Sequence, residues 1–337
     1  MYHGRYKGSH YDAGYRYGAL LKNHGNVITK CPTFDITEEI AEFSRSCVPV
    51  YEKYYPEVLS EIRGMADGQG TDFMTLGNIL FAMYCFKPEN HCTAFAVSDR
   101  DGNIMLGKNS DFLVSIEKLY SNCLYKLDNA YAFNANTTAF IQMEDGMNER
   151  GLAAALTFLY PHTRKPGLNA GMLIRYILER CATVGEAISA LRELPIASAQ
   201  TITLADKNGD IAVVECNSLA MDIIYPTPGE SFVATANCFN SAVMRPYRTP
   251  DGVDSWRSEE RYETARNALK AQSGSYSLRF AEDLLSGKYG FICQYDRKTN
   301  ADTVWSAIYD VGNMKYYRVE GNPSRKPFIE DKRLKLK

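Results

Sequence analysis

The sequence predicts an α+β fold in which two stacked antiparallel sheets lie between outer layers of helices. Three observations lead there. The first ninety or so residues read as helical, the rest is rich in strand patterns joined by tight turns, and two pairs of amphipathic helices interrupt those strands. The 337 residues and 45% hydrophobic content suffice for such a core. No internal repeat and no linker rich in Gly, Pro or Ser divides the chain, so one domain is expected.

Residues 8–90 carry the helical part. Pro56 suits a first helical position, before Val58, Leu59, Ile62 and Met65 on one face. A second helix is expected over 75–86, around Leu76, Ile79, Leu80 and Met83, and Lys87-Pro88-Glu89-Asn90-His91 breaks it. From residue 92 the pattern changes to strands. Segments 92–97 and 103–109 flank Asp99-Arg100-Asp101-Gly102, a hairpin signal. Further strands are expected at 121–127, 137–143 and 151–159. Helices follow at 170–182 and 184–194, the second opening with the capping box Thr183-Val184-Gly185-Glu186. A second hairpin turns at Asn208-Gly209 between 201–205 and 211–216. Strands at 221–225 and 231–236, helices near 258–271 and 277–286, and strands at 303–310 and 314–320 complete the order. The last helix stops at Gly287, and the basic tail reads as a solvated end.

Lys+Arg 38 against Asp+Glu 40 gives a net charge of -2, and no charge run points to nucleic acid or an anionic membrane. No run of about eighteen apolar residues predicts a membrane span. Met1-Tyr2-His3-Gly4-Arg5-Tyr6-Lys7 lacks the apolar core of a secretion signal, so a soluble, cytoplasmic protein is expected. The nine cysteines are odd in number and lack CxxC spacing, which argues against a disulfide framework and a zinc site. Eight of them read as small buried hydrophobes. No metal or organic cofactor is expected.

Cys92 differs from the other eight. With Asp101-Gly102 as the central turn residues, Cys92 pairs with Asp111, and both side chains share a face. A carboxylate there would raise the thiol pKa, but it would hold an ammonium group well. That ammonium exists if the His91–Cys92 bond is cut. A free α-amine with a pKa of about 8 can then take the thiol proton without any histidine. His3, His10, His24, His91 and His162 are the only histidines, and none lies in a segment specially placed for a cysteine.

Cys92-Thr93-Ala94-Phe95, Asp101-Gly102-Asn103 and Gly107-Lys108-Asn109-Ser110-Asp111 resemble the linear-amide hydrolases with an N-terminal cysteine nucleophile. The likeness is closest to the acyl-coenzyme A:6-aminopenicillanic acid acyltransferase-like branch, and more distant to bile-salt hydrolase and penicillin V acylase. It extends to the glycine pattern at 8–18, to Glu144-Asp145-Gly146-Met147-Asn148-Glu149-Arg150-Gly151-Leu152, to Leu204-Ala205-Asp206-Lys207-Asn208-Gly209 with Val214-Glu215, and to Gly321-Asn322-Pro323. The resemblance implies a four-layer αββα sandwich, a small-molecule N-acyl amide substrate and self-cleavage. Residues 1–91 would stay bound as a helical chain beside a catalytic chain of 92–337.

It also assigns roles. Cys92 matches the nucleophile, Asp111 the carboxylate that positions its amine, Asn237 the oxyanion asparagine and Arg261 the active-site arginine. Lys108 stands where bile-salt hydrolases have arginine, and Thr157 where they have a second oxyanion asparagine, which argues against bile salts as substrate. From the residues alone, other readings stay open. Asn237 reads as a turn residue, Arg261 as an exposed helix arginine among Glu259, Glu260 and Glu263, and Lys108 as a local charge balance. For the whole chain, three alternatives remain: acyl transfer, with coenzyme A as one donor; a Cys/His hydrolase using His162; and a binding protein that kept the fold. Homo-oligomer formation is left open.

Overall fold

The computed structural model describes residues 1–28, 35–86, 91–272 and 274–333. Cys31, the predicted break at 87–90 and the end of the basic tail lie outside the described residues. Helices form where a cap meets an apolar stripe. After strand β1 (Tyr2–Gly8), Ser9 caps α1 (His10–Asn23), Thr37 caps α2 (Glu38–Tyr54) and Asp72 caps α4 (Phe73–Ala82). Between the last two, α3 (Pro56–Gln69) starts at the predicted proline and ends at Gly70, whose φ of 71° is left-handed.

Helices α1 and α3 touch backbone to backbone. A Cβ on Gly14 would lie 2.0 Å from the Glu61 carbonyl oxygen, and one on Gly64 would lie 2.1 Å from that of Tyr11. Gly14→Ala must therefore push two helix backbones apart. A loss of about 1–3 kcal/mol is expected, readable as a fall in the urea midpoint, and an unchanged midpoint would show that the helices slide freely.

The remaining elements run β2 (His91–Ser98), β3 (Ile104–Leu113), β4 (Ser121–Leu127), β5 (Phe133–Thr137), β6 (Asp145–Asn148) and β7 (Leu152–Phe158). Then come α5 (Ala170–Arg180), α6 (Val184–Glu193), β8 (Gln200–Asp206), β9 (Ile211–Cys216), β10 (Met221–Ile224) and β11 (Phe232–Thr235). Helices α7 (Ser258–Gln272) and α8 (Leu278–Leu285) precede β12 (Ala301–Asp310), β13 (Lys315–Val319) and β14 (Ile329–Glu330).

One sheet has the order β1-β4-β5-β6-β7-β8-β9-β10, the other β11-β2-β3-β12-β13-β14. Ala94, Ala96, Leu106, Ala153, Ala155 and Val213 pack between the sheets, where small side chains allow close approach. Helices α1 to α6 cover the outer face of the first sheet, and α7 and α8 that of the second. The layers are α, β, β, α, as expected.

Three local expectations are corrected. The first sheet is not wholly antiparallel, since β1 pairs parallel with β4. Residues 138–144 form turns rather than a strand, with Phe140 at φ 61°. The hairpin register is shifted by one: Cys92 pairs with Ser110, and His91 pairs with Asp111. The cause is a five-residue loop at 99–103. The Asp99 carboxylate accepts the N–H groups of Asp101 and Asn103, both at 3.0 Å, and organises a longer turn than the one assumed. A slip of one residue moves every side chain to the other face.

Buried charges join the first helices to the later chain. Arg175 on α5 reaches Glu61 on α3 at 2.7 Å and Glu179 at 2.5 Å, and donates to the Ile141 carbonyl at 2.7 Å. Tyr55 donates to Glu179 at 2.6 Å, and His10 lies 3.1 Å from that carboxylate.

Candidate active site

The register puts Cys92, Ser110 and Lys108 on the face between the sheets, and Thr93 and Asp111 on the face toward α7. The site therefore surrounds the start of β2 from both sides. Cys92 is fully buried. Its sulfur lies 3.9 Å from the Ser110 hydroxyl, which in turn lies 3.4 Å from the Glu144 carboxylate. Lys108 donates to the Glu144 carbonyl at 3.1 Å and pairs with Asp145 at 3.1 Å. Trp305 Nε1 and Tyr309 also bond Asp145, so the lysine charge is locked in a satisfied network. Burial pushes the Cys92 thiol up to about 12; Lys108 opposes this, and Glu144 and Asp111 add to it. At pH 7 the thiol is therefore held in its neutral form.

On the other face, Arg261 is completely buried and contacts five oxygens. It donates to the carbonyls of Cys92 (2.6 Å), Ser255 (3.1 Å) and Trp256 (2.9 Å), to the Thr93 hydroxyl (2.9 Å) and to Asn237 Oδ1 (2.9 Å). The exposed-arginine reading is thereby overturned: Arg261 stands in the inward stripe of α7 with Ala265, Ala268 and Leu269. Asn237, just beyond β11, accepts the backbone N–H of Cys92 at 2.8 Å through Oδ1 and donates Nδ2 to the Phe158 carbonyl at 2.6 Å.

Asp111 lies 3.7 Å from Arg261 and accepts from Thr303 (2.6 Å) and Tyr295 (2.9 Å). Burial raises its pKa to about 6 against these partners. The bulge in β12 between Thr303 and Trp305 makes the arrangement possible: it sets Thr303 opposite Asp111 and Trp305 opposite Ser110.

Cys92, Lys108, Asp111, Asn237 and Arg261 thus converge. Thr157 stands one step back: its hydroxyl bonds Thr201 at 2.8 Å and the Ala236 carbonyl at 2.7 Å, supporting the strand end that carries Asn237. His162 contacts the Arg248 carbonyl and ring-packs on Tyr160, which gives it no part in this arrangement. Tyr295 and Trp256 were not foreseen, and Ser110 and Glu144 stand inside motifs that gave them no role. Trp256 stacks on the His91 ring, with centroids 4.4 Å apart. Tyr295 and Trp256 lie in irregular segments without periodicity, so no pattern in the sequence announces them. Among the described residues no group of three or more His, Cys, Asp or Glu is placed to hold a metal ion, and no helix is long and apolar enough to cross a membrane.

Two facing sheets under helices, with a polar cage closing on the first residues of a central strand, define the fold of the N-terminal-nucleophile hydrolases. An arginine-to-leucine variant of the conjugated bile acid hydrolase from Clostridium perfringens shares it, with a TM-score of 0.51 and 16% identity over 71% of this chain and 92% of that one. The profile of the acyl-coenzyme A:6-aminopenicillanic acid acyl-transferase family matches residues 97–325, more than half of the chain, and the chain belongs to that family. A penicillin V acylase from Pectobacterium atrosepticum is 34% identical over 91 residues, 21% of this chain; the chain spans about a quarter (24%) of that relative's length. A Caenorhabditis elegans N-acylethanolamine-hydrolyzing acid amidase ortholog aligns at 18% identity over 66% of this chain and 93% of that one, with a TM-score of 0.49.

Proposed function

We propose that the chain is a self-processing cysteine enzyme that hydrolyses a linear amide bond of an N-acyl substrate through a thioester on Cys92. The observation that carries this is the polar cage around the Cys92 backbone nitrogen. Asn237 accepts its N–H, Arg261 holds both Asn237 and the Cys92 carbonyl, and Asp111 stands beside Arg261. A structural cysteine needs one acceptor for its N–H, not a buried guanidinium and a carboxylate gathered beside it. An amine that serves as base needs such groups.

Processing begins when the Cys92 sulfur attacks the His91 carbonyl carbon. The C–N bond breaks, the thiol proton passes to the leaving nitrogen, and His91 is held as a thioester. Water then releases the His91 carboxylate and restores the thiol. In turnover the new α-amine takes the thiol proton, and the sulfur attacks the substrate amide. The amine returns the proton to the departing nitrogen, and water hydrolyses the acyl-enzyme. Asn237 and backbone N–H groups act as oxyanion donors that strengthen as charge develops. Ionised Asp111 holds the ammonium form of the amine, and Lys108 balances Glu144 and Asp145. Residues 1–91 remain attached, held by β1 in the sheet and by the Arg175 cluster. Acyl transfer to an amine follows the same path with an amine replacing water; amide rather than acid product would reveal it.

The test is the intact mass of denatured protein beside Cys92→Ala. Two fragments, ending at His91 and starting at Cys92, are expected only with the cysteine present. A single full-length mass after prolonged incubation would remove the mechanism. Peptide-resolved alkylation gives a second check. In uncleaved chain the thiol, held near 12, should react with iodoacetamide tenfold faster per pH unit from 7 to 10. In cleaved chain the reaction should start faster and level off above about pH 8, where the amine is neutral. Identical profiles would show that the amine does not govern the thiol.

A further inference from the structure

We propose that the recess filled by the His91 ring before cleavage becomes the acyl subsite of the enzyme, with Trp256 as its specificity-determining wall. It takes a flat, uncharged ring carried two carbons beyond the scissile carbonyl. This rests on the self-processing reading above.

The approach to the sulfur comes first. Cys92, Lys108, Ser110 and Glu144 have essentially no exposed surface, so among the described residues the space between the sheets offers no entry beside the thiol. Once the His91–Cys92 bond is cut, the way to the sulfur lies along the line of β2, through the place His91 held. His91 is also the acyl group of the self-cleavage step: its carbonyl carbon is the one the sulfur attacks. A substrate carbonyl must reach the same sulfur, so the group behind it extends where the His91 side chain went. In histidine the ring follows the carbonyl by two carbons, Cα and Cβ, which sets the reach.

The recess is built for a ring. The His91 imidazole and the Trp256 indole lie 4.4 Å apart and within 17° of parallel. Trp256 meets Tyr295 at 5.5 Å and 61°, and Tyr295 donates to Asp111, so this wall is tied to the amine site. The indole is held at a cost in backbone strain. Trp256 and Arg257 both have left-handed φ values, 51° and 57°, which side chains other than glycine rarely adopt. Several contacts enforce it: Asp254 accepts the Trp256 N–H at 2.8 Å, Arg261 binds the carbonyls of Ser255 and Trp256, and Arg257 forms a two-pronged pair with Glu260 while covering Phe291.

The imidazole itself fits imperfectly. Its Nδ1 atom is buried without a hydrogen-bond partner among the described residues. Burial and the Arg261 charge hold its pKa down to about 3, so the recess keeps the ring neutral and disfavours cations. The ring also hydrogen-bonds the Ser255 backbone. A carbocyclic ring gives up that bond, but the Ser255 carbonyl keeps the one from Arg261, and the carbocycle stacks on Trp256 without an Nδ1 to satisfy.

The experiment compares two amides of one amine, 3-phenylpropanoyl-4-nitroanilide and heptanoyl-4-nitroanilide, on cleaved wild type, Trp256→Ala and Trp256→Phe. Wild type is expected to prefer the phenyl substrate. Trp256→Ala should lower its kcat/KM roughly tenfold with less than a threefold change on heptanoyl, and Trp256→Phe should recover most of the loss. Equal losses on both substrates, or a wild-type preference for heptanoyl, overturn the proposal. Should the alanine variant fail to fold, product inhibition of wild type decides: 3-phenylpropanoate must bind more tightly than heptanoate, and the reverse order refutes the ring subsite. A wild type that stays uncleaved, or turns over neither amide, overturns the enzymatic reading itself, and the subsite with it.

Discussion

Arg261→Ala is expected to abolish chain cleavage and to cost about 3–5 kcal/mol of stability, because it removes the partner of a buried charge rather than an exposed one. The guanidinium satisfies five oxygens and is the cation beside Asp111. Without it, the Asp111 carboxyl, already lifted to about 6 by burial, moves further up and is neutral near pH 7. The group expected to hold the ammonium is then lost as well. Arg261→Lys restores a charge but not the planar fork that reaches carbonyls, a hydroxyl and an amide at once, so it should recover part of the stability and little of the cleavage. Urea denaturation and the fraction of cleaved chain, measured together, check this. Full cleavage in a well-folded alanine variant would show that the cage around Cys92 is not needed for processing.

The second large effect belongs to Arg175. Arg175→Leu should also cost about 3–5 kcal/mol, since it strands Glu61 and Glu179 in the interior. Changing all three together, with Glu61→Gln and Glu179→Gln, should restore most of the loss, because no bare charge remains. The pH dependence separates the two states. In wild type, Glu179 is held down to about 2, with Arg175 the largest cause opposing burial, so its contribution is complete above about 4.5 and fades as pH falls from there toward 2. Glu61 is held above its ordinary value by burial, an opposite influence that favours mild acid. Once Arg175 is gone, burial raises both carboxyls and the folded chain binds more protons than the unfolded one. Arg175→Leu should therefore gain stability between pH 7 and 5, whereas wild type should change little. Parallel urea midpoints for the two proteins across that range would refute this account.

The layered class, most helices and most strand segments were legible because caps, turn residues and apolar spacing are local signals. Pro56, Thr183, Asn208-Gly209 and Gly287 mark ends that the structure keeps. What failed depends on distant partners or on a single extra residue. The register of the 99–103 hairpin turned on the Asp99 carboxylate, which organises a longer loop than its Asp101-Gly102 pair suggests. Residues 137–143 alternate like a strand, but Thr138 and Ala139 are tied into a turn by Glu144 and Thr137. The burial of Arg261 was hidden by its acidic neighbours in sequence, which lie on the other sides of the helix. Trp256 and Tyr295 gain meaning only from what folds against them.

The parallel pairing of β1 with β4 bears on the order of assembly. Tyr2 finds its partner at Ser121, more than a hundred residues later, so β1 cannot be placed until the chain through β4 exists. Such a distant closure is slow compared with local helix formation. Until it occurs, the Ser121–Leu127 edge stands uncovered during synthesis, an open template for another chain. A truncation of residues 2–8 would leave that edge permanently bare, and its first symptom should be clumping during expression rather than a weakened catalyst.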